Sequence, residues 1–279
     1  MRILSFPARF LFALLVLAPV LLFPAAAGAG TPPAAAASSS PGMSEGLALL
    51  ADGRACLYNG PFAQAREKLE RARAVFLGLA AHGSGGERHL AFFHAAEASL
   101  ELGTWYESQG DNADLRARAA EEFAAAELQA RQSMQLKPDF PGAAQMLAQA
   151  YMRQTDYKGT LYTMTKGLEA KRLIDTALRL DSKSAANHLA AGLWYQGAPA
   201  MVGGSLNKAL EHFKKAAELA ETDFERFYAQ VWTGLILNKM KQYPAAEKAF
   251  TQALAIYPQS EWARNGLRAA QAGARDQKN

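Results

Sequence analysis

Residues 227–259 read FYAQVWTGLILNKMKQYPAAEKAFTQALAIYPQ. Ala246, Phe250 and Ala253 are spaced by four and then three residues, offsets that fall on one stripe of an α-helix. Small residues on that stripe let a neighbouring helix approach, and the bulky one between them fills the gap. Twelve residues upstream of Ala246, Gly234 precedes Leu237 by three positions on an earlier apolar segment, and a residue without a side chain is what a close helix crossing requires. Pro258, with a fixed φ and no N–H, ends the second segment. The stretch is one helical hairpin.

The same register recurs upstream as Ala65/Leu69/Ala72, Ala119/Phe123/Ala126, Ala170/Ile174/Ala177 and Ala209/Phe213/Ala216. Each set follows a segment holding a small residue and a larger one three positions later: Gly53/Cys56, Gly103/Tyr106, Ala148/Tyr151 and Gly192/Tyr195. A unit repeated at this length cannot bury its apolar face alone, so the hairpins must stack. No segment alternates apolar and polar β-branched residues between turn signals, which leaves an all-α fold.

The order small residue, Tyr243, Ala246, Phe250, Ala253, Pro258 resembles the tetratricopeptide repeat (TPR), with Gln230 and Thr233 where that motif often carries tryptophan and leucine. The resemblance implies a right-handed superhelical solenoid of about five hairpins over residues 44–273, with residues 261–272 as a closing helix. From Arg172, the text LIDTALRLDSKSAANHLAAGLWYQGAPAMVGGSLNKALEHFKKAAEL is similar to the TPR-like T component of TRAP-type transport systems. That similarity implies association with an extracytoplasmic solute-binding protein and an apolar ligand in a central channel.

The ends of the chain carry different signals. Arg2 and Arg9, an apolar run over 10–23 and the small residues of 25–29 read as a secretory signal over 1–29, too short to span a membrane comfortably. Residues 30–43, GTPPAAAASSSPGM, have nothing large to bury and read as a tether, and 274–279 as a tail. No cysteine follows the apolar run to accept a lipid, so a cleaved chain is expected to be periplasmic or secreted without a stable anchor. Removing Arg2 and Arg9 lowers the formal charge from +4 to +2, and no basic stripe interleaved with aromatics points to nucleic acid. The lone Cys56 has no partner for an internal disulfide.

Spacing from the small residue to the first alanine is 12 at both ends but 16, 22 and 17 in the middle three units. The extra residues fall at the hairpin turns and therefore along one edge of the stack, where a functional face is expected. The second expansion, 155–166, holds Tyr157, Tyr162 and Met164; the third, QGAPAMVGGS at 196–205, holds Met201 and follows Trp194 and Tyr195. These six side chains are candidates to line a ligand cavity, while Asn187, His188, Gln145, Gln149 and Gln230 on the first helices are candidate polar contacts in the concave groove.

Gly203, Gly204 and Ser205 before a helix offer N–H groups to an anion, although the glycines also suit a turn and Ser205 a helix cap. Ser205-x-x-Lys208 lacks the further motifs that nucleophilic catalysis on this pattern needs. His89 and His94 are separated by about 140° around a helix, and no HExxH or cysteine pair completes a metal site. No acid, base and nucleophile assemble, so the expectation is a binding protein without cofactor or metal. Its partner is another protein, bound through the groove and middle turns; the alternative is a transport accessory that holds a small apolar ligand and binds a solute-binding protein.

Overall fold

The computed structural model describes residues 40–83 and 85–277, and among them eleven α-helices and no strand. They are α1 Pro41–Asn59, α2 Ala65–His82, α3 Arg88–Gln109, α4 Ala113–Leu136, α5 Pro141–Gln154, α6 Thr160–Leu180, α7 Ala185–Gly197, α8 Leu206–Leu219, α9 Asp223–Lys239, α10 Tyr243–Ile256 and α11 Glu261–Asp276. Odd and even helices pair into five hairpins, and α11 covers the last. The expected secretory signal and residues 30–39 of the expected tether lie outside the described residues. Pro41, at the first turn of α1 where a missing N–H costs nothing, starts the first helix three residues before the expected boundary, and α11 likewise runs on to Asp276.

Helix starts follow local chemistry. Asn112, Ser184, Ser205 and Ser260 each accept a hydrogen bond from a backbone N–H three residues on, and Thr222 with Glu225 forms a reciprocal capping box. Pro141 and Pro244 occupy first-turn positions of α5 and α10.

Every member of the five alanine sets is no more than 1 % exposed, so the stripe is the stacking surface. Its large residue lies over the small residue of the preceding helix: a Cβ on Gly103 would come within 2.3 Å of Phe123, on Gly192 within 2.5 Å of Phe213, on Gly234 within 2.7 Å of Phe250 and on Gly53 within 2.7 Å of Leu69. Gly266 of α11 repeats the contact on the other side of Phe250, which is how the closing helix seats.

Two of the expanded turns are not loops. Between α3 and α4 only residues 110–112 are non-helical, the extra length having gone into the helices. In the second expansion residues 155–159 turn, and 160–166 form the start of α6, because after Gly159 no proline or glycine interrupts the run before Gly167. Tyr162 and Met164 are therefore helical. The third expansion is a true loop, with a short 3-10 turn at Ala200–Val202 and Gly203 at φ 102°. A Cβ on Gly204 would lie 1.8 Å from the Ala198 carbonyl oxygen, so the loop closes on glycine.

Candidate functional site

The solenoid winds far enough that its first helix meets its last units. Tyr58 of α1 packs against Phe224, Phe227 and Tyr228 of α9 and Trp262 of α11, with ring centroids 5.5 to 6.1 Å apart. The concave side thereby becomes a central cavity of about 550 Å³, lined by α1, α3, α5, α7 and α9. Leu50, Leu100, Met146, Leu189, Leu193 and Trp194 give it mostly apolar walls.

One wall is ionic. Arg54 donates through Nε to Glu101 Oε1 and through an Nη to Glu97 Oε1, both at 2.9 Å, and its guanidinium lies 4.3 Å from the centre of the Phe224 ring. The Tyr58 hydroxyl donates to the other Glu101 oxygen at 2.8 Å, and His94 Nδ1 lies 2.6 Å from Glu97 Oε2. Burial works against ionising Glu97, but Arg54 and His94 outweigh it and hold the carboxyl down to about 2. Burial also pushes the Tyr58 hydroxyl well up, with Glu101 adding to it. Glu97 and Glu101 are four apart on α3 and so share a face. Across the cavity Arg153 pairs with Glu107 and lies over Phe123 at 4.4 Å.

Of the residues singled out in the sequence, Gln145, Gln149 and Trp194 line this cavity. The Trp194 indole donates to the Gly167 carbonyl at 2.9 Å, which fixes its ring. His94, read in the sequence beside His89, lines it as well, and the other candidate contact residues do not. Asn187 is buried and donates to the carbonyls of Ala177 and Asp181, tying α7 to the end of α6. His188 Nδ1 lies 3.0 Å from His212 Nδ1, and Tyr195 stacks on His212 at 5.4 Å, so both belong to the α7/α8 hairpin. Tyr157 donates to Glu107 at 2.6 Å and Tyr162 to Glu127 at 3.4 Å; burial and these carboxylates raise both phenols. Met164 and Gln230 are half-buried, and Met201 is 62 % exposed.

The anion-binding reading of the Gly203–Ser205 turn is set aside, because its three N–H groups donate to the carbonyls of Ala200, Pro199 and Tyr195 and Ser205 caps α8. His89 sits edge-on to Phe140 in packing. Among the described residues no group of three or more His, Cys, Asp or Glu is placed to hold a metal ion, and no helix is long and apolar enough to cross a membrane. Sequence reading missed Arg54, Tyr58 and Glu101. The four-residue spacing of Glu97 and Glu101 beside the cavity-facing leucine Leu100 was the signal available.

No protein-family model matches the chain, and no curated protein matches it in sequence. Among solved structures, a thermophilic TPR protein of Thermus thermophilus is 18 % identical with a TM-score of 0.56, over 81 % of this chain and 99 % of that one. The APC/C hetero-tetramer Cut9-Hcn1 is 17 % identical, TM-score 0.44, over 81 % of this chain and 42 % of that one. YrrB, a TPR protein with an unusual peptide-binding site, is 17 % identical, TM-score 0.38, over 72 % and 84 %. Of these three the Thermus protein alone exceeds 0.5. With five glycine-and-alanine hairpins stacked in register, that likeness identifies the chain as a tetratricopeptide-repeat solenoid in its fold.

Proposed function

We propose that this chain is a non-enzymatic binding protein that holds a small, largely apolar molecule in its central cavity. The observation that supports the reading is the closure of α1 onto α9 and α11 through Tyr58, which turns an open groove into a chamber of about 550 Å³. That volume is ordinary for a small-molecule site. A folded partner protein has little room inside a groove so closed. The sequence adds the context: export through the signal over residues 1–29, and an accessory role in solute uptake in which an extracytoplasmic solute-binding protein exchanges the ligand.

A partner protein has a separate place to dock. Leu161 on the first turn of α6 and Met201 in the third expanded turn are 76 % and 62 % exposed, large apolar side chains at the edge where the middle hairpins turn. Ligand and partner therefore use different surfaces.

The test is calorimetric titration of the purified mature chain with an alkyl probe, beside a variant with the chamber filled, Leu189→Trp. Binding by the parent and at least tenfold weaker binding by the filled variant is the expected result. Equal binding by both, or none by the parent, overturns the cavity as the site.

A further inference from the structure

We infer that the cavity selects a ligand whose polar end is an uncharged, amide-like group and rejects alkyl carboxylates, Gln145 and Gln149 being the residues that read that end; this rests on the cavity being the ligand site. Gln145 is 2 % exposed and lines the cavity, yet its side-chain amide makes no hydrogen bond with any described residue. The amide's polar atoms keep some accessible surface, so its donors and acceptor remain available instead of being sealed in the protein. Here the cavity is the side from which a partner can come. Gln149, also lining the cavity and without a hydrogen bond of its own, is one helical turn further along α5, so two primary amides present donors and acceptors along one line.

The charges around them point away from an anion. Arg54 is used by Glu97 and Glu101, and Arg153 by Glu107. The remaining cavity cation, Lys239, donates to Gln196 Oε1 at 2.7 Å at an exposed position. Against these stand the cavity-lining carboxylates Glu97, Glu101, Asp156 and Glu225, and the His94 imidazole is taken up by Glu97. An incoming carboxylate would meet no unengaged guanidinium and would lie near four carboxylates in a partly enclosed space where water screens poorly. A neutral group that both donates and accepts meets two amides with the same capacity and loses little solvation in entering.

The experiment compares three probes of equal chain length on the full mature protein by calorimetry: dodecanamide, dodecanoate and dodecylamine. Dodecanamide is expected to bind about tenfold more tightly than dodecanoate, the scale of a hydrogen bond or two gained. Gln145→Leu is expected to abolish that preference, and Gln149→Leu, at a less buried position, to reduce it with the fold intact by circular dichroism. Lys239→Gln is expected to leave the order unchanged. Dodecanoate binding as tightly as the amide, or losing its affinity in Lys239→Gln, overturns the proposal, as does tightest binding by dodecylamine. Binding by none of the three, or undiminished binding by Leu189→Trp, instead removes the cavity site itself.

Discussion

The backbone N–H of Gln259 donates to Asn59 Oδ1 over 2.8 Å, joining residues two hundred positions apart. It fastens the end of α1 to the turn before α11, beside the aromatic contacts of Tyr58. Substituting Tyr58 by alanine removes a buried ring and its bond to Glu101, a loss of about 3 to 5 kcal/mol by analogy with other buried aromatics. The expected outcome is a lower unfolding midpoint and a larger radius of gyration in solution scattering as the coil opens. Asn59→Ala should cost only about 1 kcal/mol. An unchanged radius in Tyr58→Ala would show that the closure does not depend on that ring.

Two glycines with opposite surroundings test the stacking account. A methyl on Gly103 would meet Phe123, buried between helices with no room to yield, so Gly103→Ala should destabilise by about 1 to 3 kcal/mol. Gly78, exposed within α2, has nothing within 4 Å of such a methyl, and Gly78→Ala should stabilise by about 0.5 to 1 kcal/mol by relieving the entropy penalty of glycine in a helix. Urea denaturation of the two variants measures both. Equal shifts would mean that Phe123 moves aside.

The hairpins are readable in the sequence because their signal is local: Gly234 and Phe250 meet within one unit, at spacings the helix period dictates. Closure is not, since it depends on small rotations added over five units, and nothing near Tyr58 in sequence announces Phe224 or Trp262. The Arg54 cluster escapes for the same reason, its members lying 43 and 47 residues apart. Distance between small residue and alanine shows where length is added but not its form, which is why Tyr162 reads as a loop residue while Gly159 alone marks the helix start. Asn187 reads as a groove contact because its neighbour positions face inward; its own side chain turns to the carbonyls that end α6.

The histidine pair should make the fourth hairpin sensitive to acid. His188 Nε2 lies 3.1 Å from the Ser182 carbonyl oxygen and must donate to it, so neutral His188 accepts at Nδ1 from His212. Burial, then His188 and Lys171, lower the His212 pKa, with Glu211 and Asp175 opposing. With the folded pKa below the usual 6.5, stability is complete above that value and declines as pH falls through it. Denaturation between pH 7.5 and 5 should show a slope that His212→Gln removes. A slope that persists in the variant would assign it to other groups.

Asp156, at the cavity, runs the other way. Burial, with Glu107 adding to it, pushes its carboxyl up to about 6, against the pull of Arg153 and Arg116. A raised carboxyl favours the folded state when protonated, so its contribution is complete below about pH 4 and is lost as pH rises through 6. Asp156→Asn should therefore match the parent near pH 4 and exceed it at pH 7.5 by about 1 kcal/mol, less than the full shift implies because the residue is only half-buried. Unfolding at both values measures this; parallel curves would place the carboxyl in ordinary solvent. A chain that tolerates such a charge beside a cavity already rich in carboxylates holds that carboxyl charged at neutral pH, and the same substitution should then narrow the gap between dodecanamide and dodecanoate affinities.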